Sequence, residues 1–286
     1  MSIKKHVLFA LALIFINHTN GQDLSAYQIF NAKGKKVSFK KMLKELGSAD
    51  VLMFGELHDN PIAHWMQLET TVALHKTNSL TLGAEMFETD NQEALNNYLT
   101  GNINQQGLDT TARLWRNYKT DYKPLVEFAK ENSIPFIATN IPRRYASMVY
   151  RGGFEALDTL SDSEKKWIAP LPILYDAEVA FYKNILKMSH GHGGENLPKA
   201  QAIKDATMAH NILKHWNPKR LFVHYQGSYH SDNHEGILWY LHQLKPDLNY
   251  MSITTKLQEN VSKLEDEHKG TADFIIVVDK DMTKTY

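Results

Sequence analysis

Cysteine is absent from all 286 residues, which excludes disulfides, thiolate metal ligands and a lipid-modified N-terminal cysteine together. Any metal would have to be held by nitrogen and oxygen atoms, or by methionine sulfur. Charge of one sign is also missing. The 32 Lys plus Arg balance 32 Asp plus Glu, so the basic footprint of a nucleic-acid binder is not there and no nucleic acid is expected as a partner. No apolar run reaches the roughly 20 residues that a membrane-spanning helix needs, so no transmembrane segment is expected. The run Val7 to Ile16 follows Lys4 and Lys5 and precedes the polar His18-Thr19-Asn20-Gly21-Gln22, the layout of a secretory signal peptide over residues 1–22. Export is the expectation, with residues 23–286 as one α/β domain. A Gly-x-Ser-x-Gly elbow, a P-loop and a His-Glu-x-x-His pattern are lacking too, which removes the common serine hydrolase, nucleotide-binding and zincin readings.

What the chain does have is a repeat. Val51-Leu52-Met53-Phe54-Gly55-Glu56-Leu57-His58 and Val223-His224-Tyr225-Gln226-Gly227-Ser228-Tyr229-His230 each run strand-like residues into Gly-x-x-His. Ligands of open α/β sheets bind outside the carboxyl ends of the strands, so the repeat predicts two imidazoles at the edge where sites are built. Asp59 and Asn60 offer helix caps after the first copy, with Pro61 suited to the first helical position. Ser231, Asp232 and Asn233 offer caps after the second, ahead of a helix from Ile237 to Leu244.

Strand patterns fall near Val51–Phe54, Leu80–Ala84, Pro135–Thr139, Leu221–Tyr225, Tyr250–Ile253 and Phe274–Val278, in alternation with helices. That order predicts an α/β fold with a largely parallel sheet flanked by helices. Tyr27–Phe30 and Lys36–Phe39 read as a hairpin forming a peripheral lid, followed by a short helix over Lys40–Leu46. Residues 141–219 read as an inserted helical cap, broken by Pro170 and Pro172 and by the loop carrying His190 and His192.

Glu85 ends a buried-looking run, Gly83-Ala84-Glu85, and is expected beside Glu56 at the same edge. Two carboxylates and two histidines would suit a divalent cation, and without one at least one carboxyl would be pushed upward. Pro142 places Arg143 and Arg144 in a first helical turn, where positive charge opposes the helix dipole and calls for an anion. Glu56, Glu85 or a ligand carboxylate could supply it, with Arg143 the nearer of the two arginines to the strand end. In the helix Lys199–His215, Gln201, Asp205 and Met208 share a face, the pattern of an ordinary amphipathic helix. His64, His75 and His242 read as surface residues.

Taken in order, Gly55-Glu56-Leu57-His58-Asp59-Asn60, Gly83-Ala84-Glu85-Met86-Phe87, Asn140-Ile141-Pro142-Arg143, Ala200 to Ala209 and Gly227-Ser228-Tyr229-His230 give the chain its resemblance to the ChaN family, from about Asp50 to Ile253. That family belongs with the Tiki and TraB proteins and the erythromycin esterases. The resemblance implies an exported haem-binding protein of the periplasm or cell envelope serving haem and iron uptake, with haem as cofactor and a homodimer admitted. Tyr225 and Tyr229 become cofactor-binding candidates, alongside Tyr175 and Tyr182, with Arg143 at the propionates. The wider superfamily implies an alternative, a metal-dependent hydrolase of Tiki-like protease or esterase-like type. His58, His230, Glu56 and Glu85 would then hold the metal, and Glu56, Glu85 and Arg143 would be catalytic. Lacking cysteine, this chain departs from family members that are lipoproteins.

Overall fold

Six apolar runs lie side by side as parallel strands, because each is buried on both faces and helices return the chain to start the next one. The computed structural model describes residues 25–188 and 194–286. The leader expected at 1–22 and the His190 and His192 loop lie outside the described residues. The first half of the chain gives β1 (Tyr27–Asn31), α1 (Phe39–Leu46), β2 (Val51–Glu56), α2 (Pro61–His75), β3 (Leu80–Glu88), α3 (Gln92–Leu99), α4 (Gln105–Thr111), α5 (Lys123–Glu131) and β4 (Phe136–Asn140). The second gives α6 (Arg143–Gly152), α7 (Asp162–Lys165), α8 (Ala180–Met188), α9 (Asn196–His215), β5 (Leu221–Gly227), α10 (Ile237–Leu244), β6 (Tyr250–Gln258) and β7 (Phe274–Asp279).

The sheet order is β1-β7-β6-β2-β5-β3-β4, and every neighbouring pair is parallel except β1 with β7. The α/β class and the largely parallel sheet are as the sequence predicts. β1 differs. Instead of a lid, it is an antiparallel edge strand with Tyr27 opposite Val278, and the expected hairpin is reduced to the bridge between Phe30 and Lys36. Ile29 and Phe30 gain more by burial against β7 than a detached hairpin could offer.

Strand alternation divides the core. Leu52, Phe54, Leu82, Ala84, Val223 and Tyr225 face the layer containing α2 and α5, while Val51, Met53, Phe222 and Ile137 face α9 and α10. Residues 141–219 contain four helices and, among the described residues, no strand. Ala206, Met208, Ala209 and Ile212 of α9 pack directly on the sheet, and Ile203 and Ala200 join Tyr145 and Val149 of α6. The apolar face of α9 is what covers that side of the sheet.

Both Gly-x-x-His segments end neighbouring strands, since β2 and β5 pair with Glu56 opposite Gly227. The Asn60 side chain caps α2 by accepting from the Ala63 amide at 2.9 Å, with Pro61 opening the helix. After the second copy, the expected caps do other work. Ser231 meets the Gln226 amide at 3.0 Å, Asp232 accepts from Thr254 and Lys256 of β6, and α10 starts only after Gly236 at φ +57°.

Candidate functional site

The two glycines of the repeat explain why the two turns can touch. A Cβ on Gly227 would lie 2.8 Å from His58 Nε2, and one on Gly55 would lie 2.8 Å from the Ser228 Cα. Each glycine therefore makes room for the turn on the adjacent strand, and the pair brings His58 and His230 to a common crest.

The carboxylates reach that crest from opposite faces of the sheet. Glu56 has the parity of Leu52 and Phe54 and enters the α2 side, where it is 1% exposed. It accepts from His58 Nδ1 at 2.8 Å, from the Tyr122 hydroxyl at 2.7 Å and from the Gln67 amide at 2.6 Å. His64 Nδ1 lies 3.4 Å from it, while His64 Nε2 donates to the His58 carbonyl at 3.1 Å and lies 3.5 Å from Asp121. Glu56 thus sits beneath His58 as its support rather than facing the cleft, and His64, expected on the surface, is buried in this network.

Glu85 has the opposite parity and enters the α9 side. One of its oxygens accepts from the Gly227 amide at 2.8 Å, and the other lies 3.2 Å from His230 Nε2. On its far side His230 Nδ1 donates to Asp205 at 2.5 Å, and the Gln201 amide nitrogen lies 3.0 Å from the ring. The shared face of Gln201 and Asp205 on α9 therefore points into the site. Asp205 is fully buried, and its second oxygen has no hydrogen-bond partner among the described residues.

These pairs set the protonation states. Burial works against a charged Glu56, but hydrogen bonds and attraction from His58 and His64 outweigh it and bring its carboxyl down to about 2. Burial likewise opposes charge on Glu85, yet the His230 cation holds its carboxyl well below the ordinary range. His230 is pushed up to about 10, because the Glu85 and Asp205 charges overcome its desolvation. His58 is raised too, its burial outweighed by Glu56 and Glu85. Asp205 is raised by burial, which His230 only partly offsets.

The four side chains expected as one metal shell therefore meet as two carboxylate–imidazole pairs. The trio of donors that closes to within 4.8 Å among the described residues is Glu265, Glu267 and His268, not this set. As arranged, the crest does not fit a divalent ion.

Beside the crest opens a cavity of about 660 Å³, with Glu85 in its wall and Trp115, Arg116, Arg143, Lys204 and Tyr286 around it. Arg144 turns away to Asp90 at 2.6 Å, so neither Glu56 nor Glu85 serves it. Arg143 remains exposed in the cavity wall without an ion pair among the described residues. Asn140 is there too, its side-chain oxygen buried and without a hydrogen-bond partner in the described residues. Trp115 packs edge-on to His58 with ring centres 4.9 Å apart.

Of the two tyrosines, Tyr225 is not available to a ligand. It shares the parity of Val223, is 0% exposed, and its hydroxyl meets Thr71 at 2.5 Å inside the core. Tyr229 is 37% exposed, with its ring 4.6 Å from Phe181. A buried histidine not foreseen, His224, lies behind the crest, 2.7 Å from Thr139 and 2.8 Å from Gln226. His64, Gln67 and Thr71 recur at helical spacing on α2, and that polar stripe was the signal for the network under His58.

Residues 42–241 match a family profile described as "Haem-binding uptake, Tiki superfamily, ChaN". Among solved structures, one described as cofacial heme binding to ChaN of Campylobacter jejuni superposes with a TM-score of 0.67 at 20% identity, over 88% of this chain and 96% of that one. A structure described as a succinoglycan biosynthesis protein gives 0.52 at 12% identity, over 89% and 94%. Among curated sequences, the chloroplastic RETICULATA-RELATED 5 protein of Arabidopsis thaliana is 25% identical over 139 residues, which is 46% of this chain but only 18% of that protein.

Proposed function

Because the chain belongs to the ChaN family of haem-binding uptake proteins in the Tiki superfamily, we propose that it binds haem in the cleft beside the crest and serves haem or iron uptake after export. The observation that carries this reading is the cation-rich cavity of about 660 Å³ at the carboxyl ends of β3 and β4, a size within the range of small-molecule sites. Its residues fit a planar dicarboxylate. Arg143, with no ion pair among the described residues, and Lys204, whose amine meets only the Gln201 side chain at 3.4 Å among them, offer donors to the propionates, and the Trp115 ring offers an apolar face to the macrocycle. Of the four tyrosines put forward for the iron, Tyr225 and Tyr182 are buried in the core, and neither Tyr229 nor Tyr175 lines this cavity, so no tyrosine is assigned to the iron. Bound iron would supply the redox and ligand-exchange chemistry; the protein's part is to hold, orient and shield.

Hemin titration tests the reading. A saturable Soret shift at micromolar hemin is expected. A folded protein that leaves the hemin spectrum unchanged would remove it. Export to the periplasm or cell envelope without a lipid anchor belongs to the same proposal, supported by the leader-like composition of residues 1–22, and is checked by cell fractionation.

A second reading, hydrolysis, draws support from one observation: His58, partly exposed at the crest, is held by a buried carboxylate, the arrangement of a general base. It predicts ester or peptide cleavage that disappears in His58→Ala. Since the crest does not fit a divalent ion, that cleavage would survive chelators.

A further inference from the structure

The segment after β7 does not leave the molecule. Lys280 pairs with Glu259 at 2.5 Å, Met282 packs against the core, and the chain then runs to the cleft. Behind that cleft, beside the His58 turn, the Thr285 amide donates to the Asp59 carbonyl at 2.9 Å, the Thr285 hydroxyl to Asp121 at 2.9 Å, and Lys284 to the Asp59 carboxylate at 2.6 Å. Tyr286 ends in the cavity wall with the Arg116 guanidinium 3.8 Å above its ring.

These contacts fall on two loops that matter. Asp59 follows His58, and Arg116 follows Trp115, the residue whose ring packs on His58. A single short segment therefore ties together both loops of one cleft wall. It also occupies Arg116, which would otherwise present its planar cation to a ligand's conjugated face or carboxylate.

We propose that Lys284, Thr285 and Tyr286 form a strap along one wall of the cleft, with the Tyr286 ring seated on Arg116, which a planar anionic ligand must displace to reach that guanidinium. Each tie is individually weak. An exposed ion pair such as Lys284 with Asp59 adds little net stability in water, and a cation–π contact at an exposed site adds only a little more. The strap is thus held firmly enough to be the resting state and loosely enough to yield to a ligand. Only the choice of hemin as probe rests on the haem reading; the strap does not.

The test is a full-length triple variant, Lys284→Ala, Thr285→Ala, Tyr286→Ala, compared with the parent after circular dichroism shows both folded. Two readouts are taken. Hemin is expected to bind about tenfold more tightly to the variant, because the closed population no longer competes. Acylation of His58 by diethylpyrocarbonate, followed residue by residue by mass spectrometry, is expected to run several-fold faster. Tight hemin binding that is equal in the two proteins would overturn the strap while leaving the haem reading intact. If neither protein binds hemin, the haem reading fails and His58 labelling alone decides: faster labelling supports the strap, and an unchanged rate overturns it.

Discussion

Gly227 makes way for His58: a Cβ at this position would stand 2.8 Å from the imidazole Nε2 and 3.0 Å from Cε1. Its φ of −56° and ψ of 137° suit any residue, so the glycine is there for space and not for conformation. That separates two outcomes with opposite signs. An unobstructed glycine-to-alanine change at such angles would stabilise by about 0.4–1 kcal/mol. Gly227→Ala should instead destabilise, by about 1–3 kcal/mol, as overpacking does. It should also drive His58 from Glu56. Urea unfolding midpoints decide the sign.

Asp205 holds His230 from the side away from Glu85. Asp205→Asn removes one of the two charges that raise His230, so the His230 pKa should fall from about 10, followed by NMR of the imidazole protons. Breaking a buried pair by removing one partner costs about 3–5 kcal/mol. A folded pKa above the unfolded one means that the stability His230 contributes is complete below about 6.5 and is lost as pH rises through about 10. The variant should therefore show a shallower alkaline loss of stability than the parent.

His224 works in the other direction. Burial holds its pKa down at about 4, so the unfolded chain takes up a proton near 6.5 and the folded protein does not. Its contribution is complete above pH 6.5 and falls by up to about 3 kcal/mol as pH drops to 4. Urea midpoints of the parent between pH 7 and 4.5 should fall more steeply than those of His224→Gln, whatever the difference between the two at pH 7. Parallel slopes would refute this assignment.

Arg143 and Lys204 are cations of the cavity wall with no ion pair among the described residues. Arg143→Ala with Lys204→Ala should weaken hemin binding about 100-fold or more, at roughly 1.5–3 kcal/mol per charged hydrogen bond lost, with no loss of thermal stability. Arg144→Ala should do the reverse, lowering stability slightly through Asp90 while sparing hemin affinity.

Much of this was legible in the chain. The apolar runs before Gly55 and Gly227 and the cap at Asn60 specified strands and turns locally, and local signals are what a sequence displays well. The meeting of His58, His230 and Glu85 followed from placing strand ends along one edge. Tyr225 was misassigned although alternation could have corrected it, since it alternates with His224 and Gln226 and must enter the opposite face. In sequence Asp205 shows only the pattern of an ordinary amphipathic helix, and His64 that of a surface residue. A charged or polar side chain on a helix looks the same in sequence whether it meets water or a buried partner, and only the packing of α9 and α2 onto the sheet distinguishes the two. The strap was not legible at all, because Lys284 to Tyr286 carry no periodicity and their partners lie more than 160 residues away in the chain.

The central claim is that the cleft beside His58 and Glu85 receives haem. A crystal structure of the protein grown with hemin tests it most directly. The account predicts the macrocycle between Trp115 and the Arg143 wall, with propionates on Arg143 and Lys204. Haem bound elsewhere, with this cleft filled only by solvent and Arg143 turned outward, would contradict it.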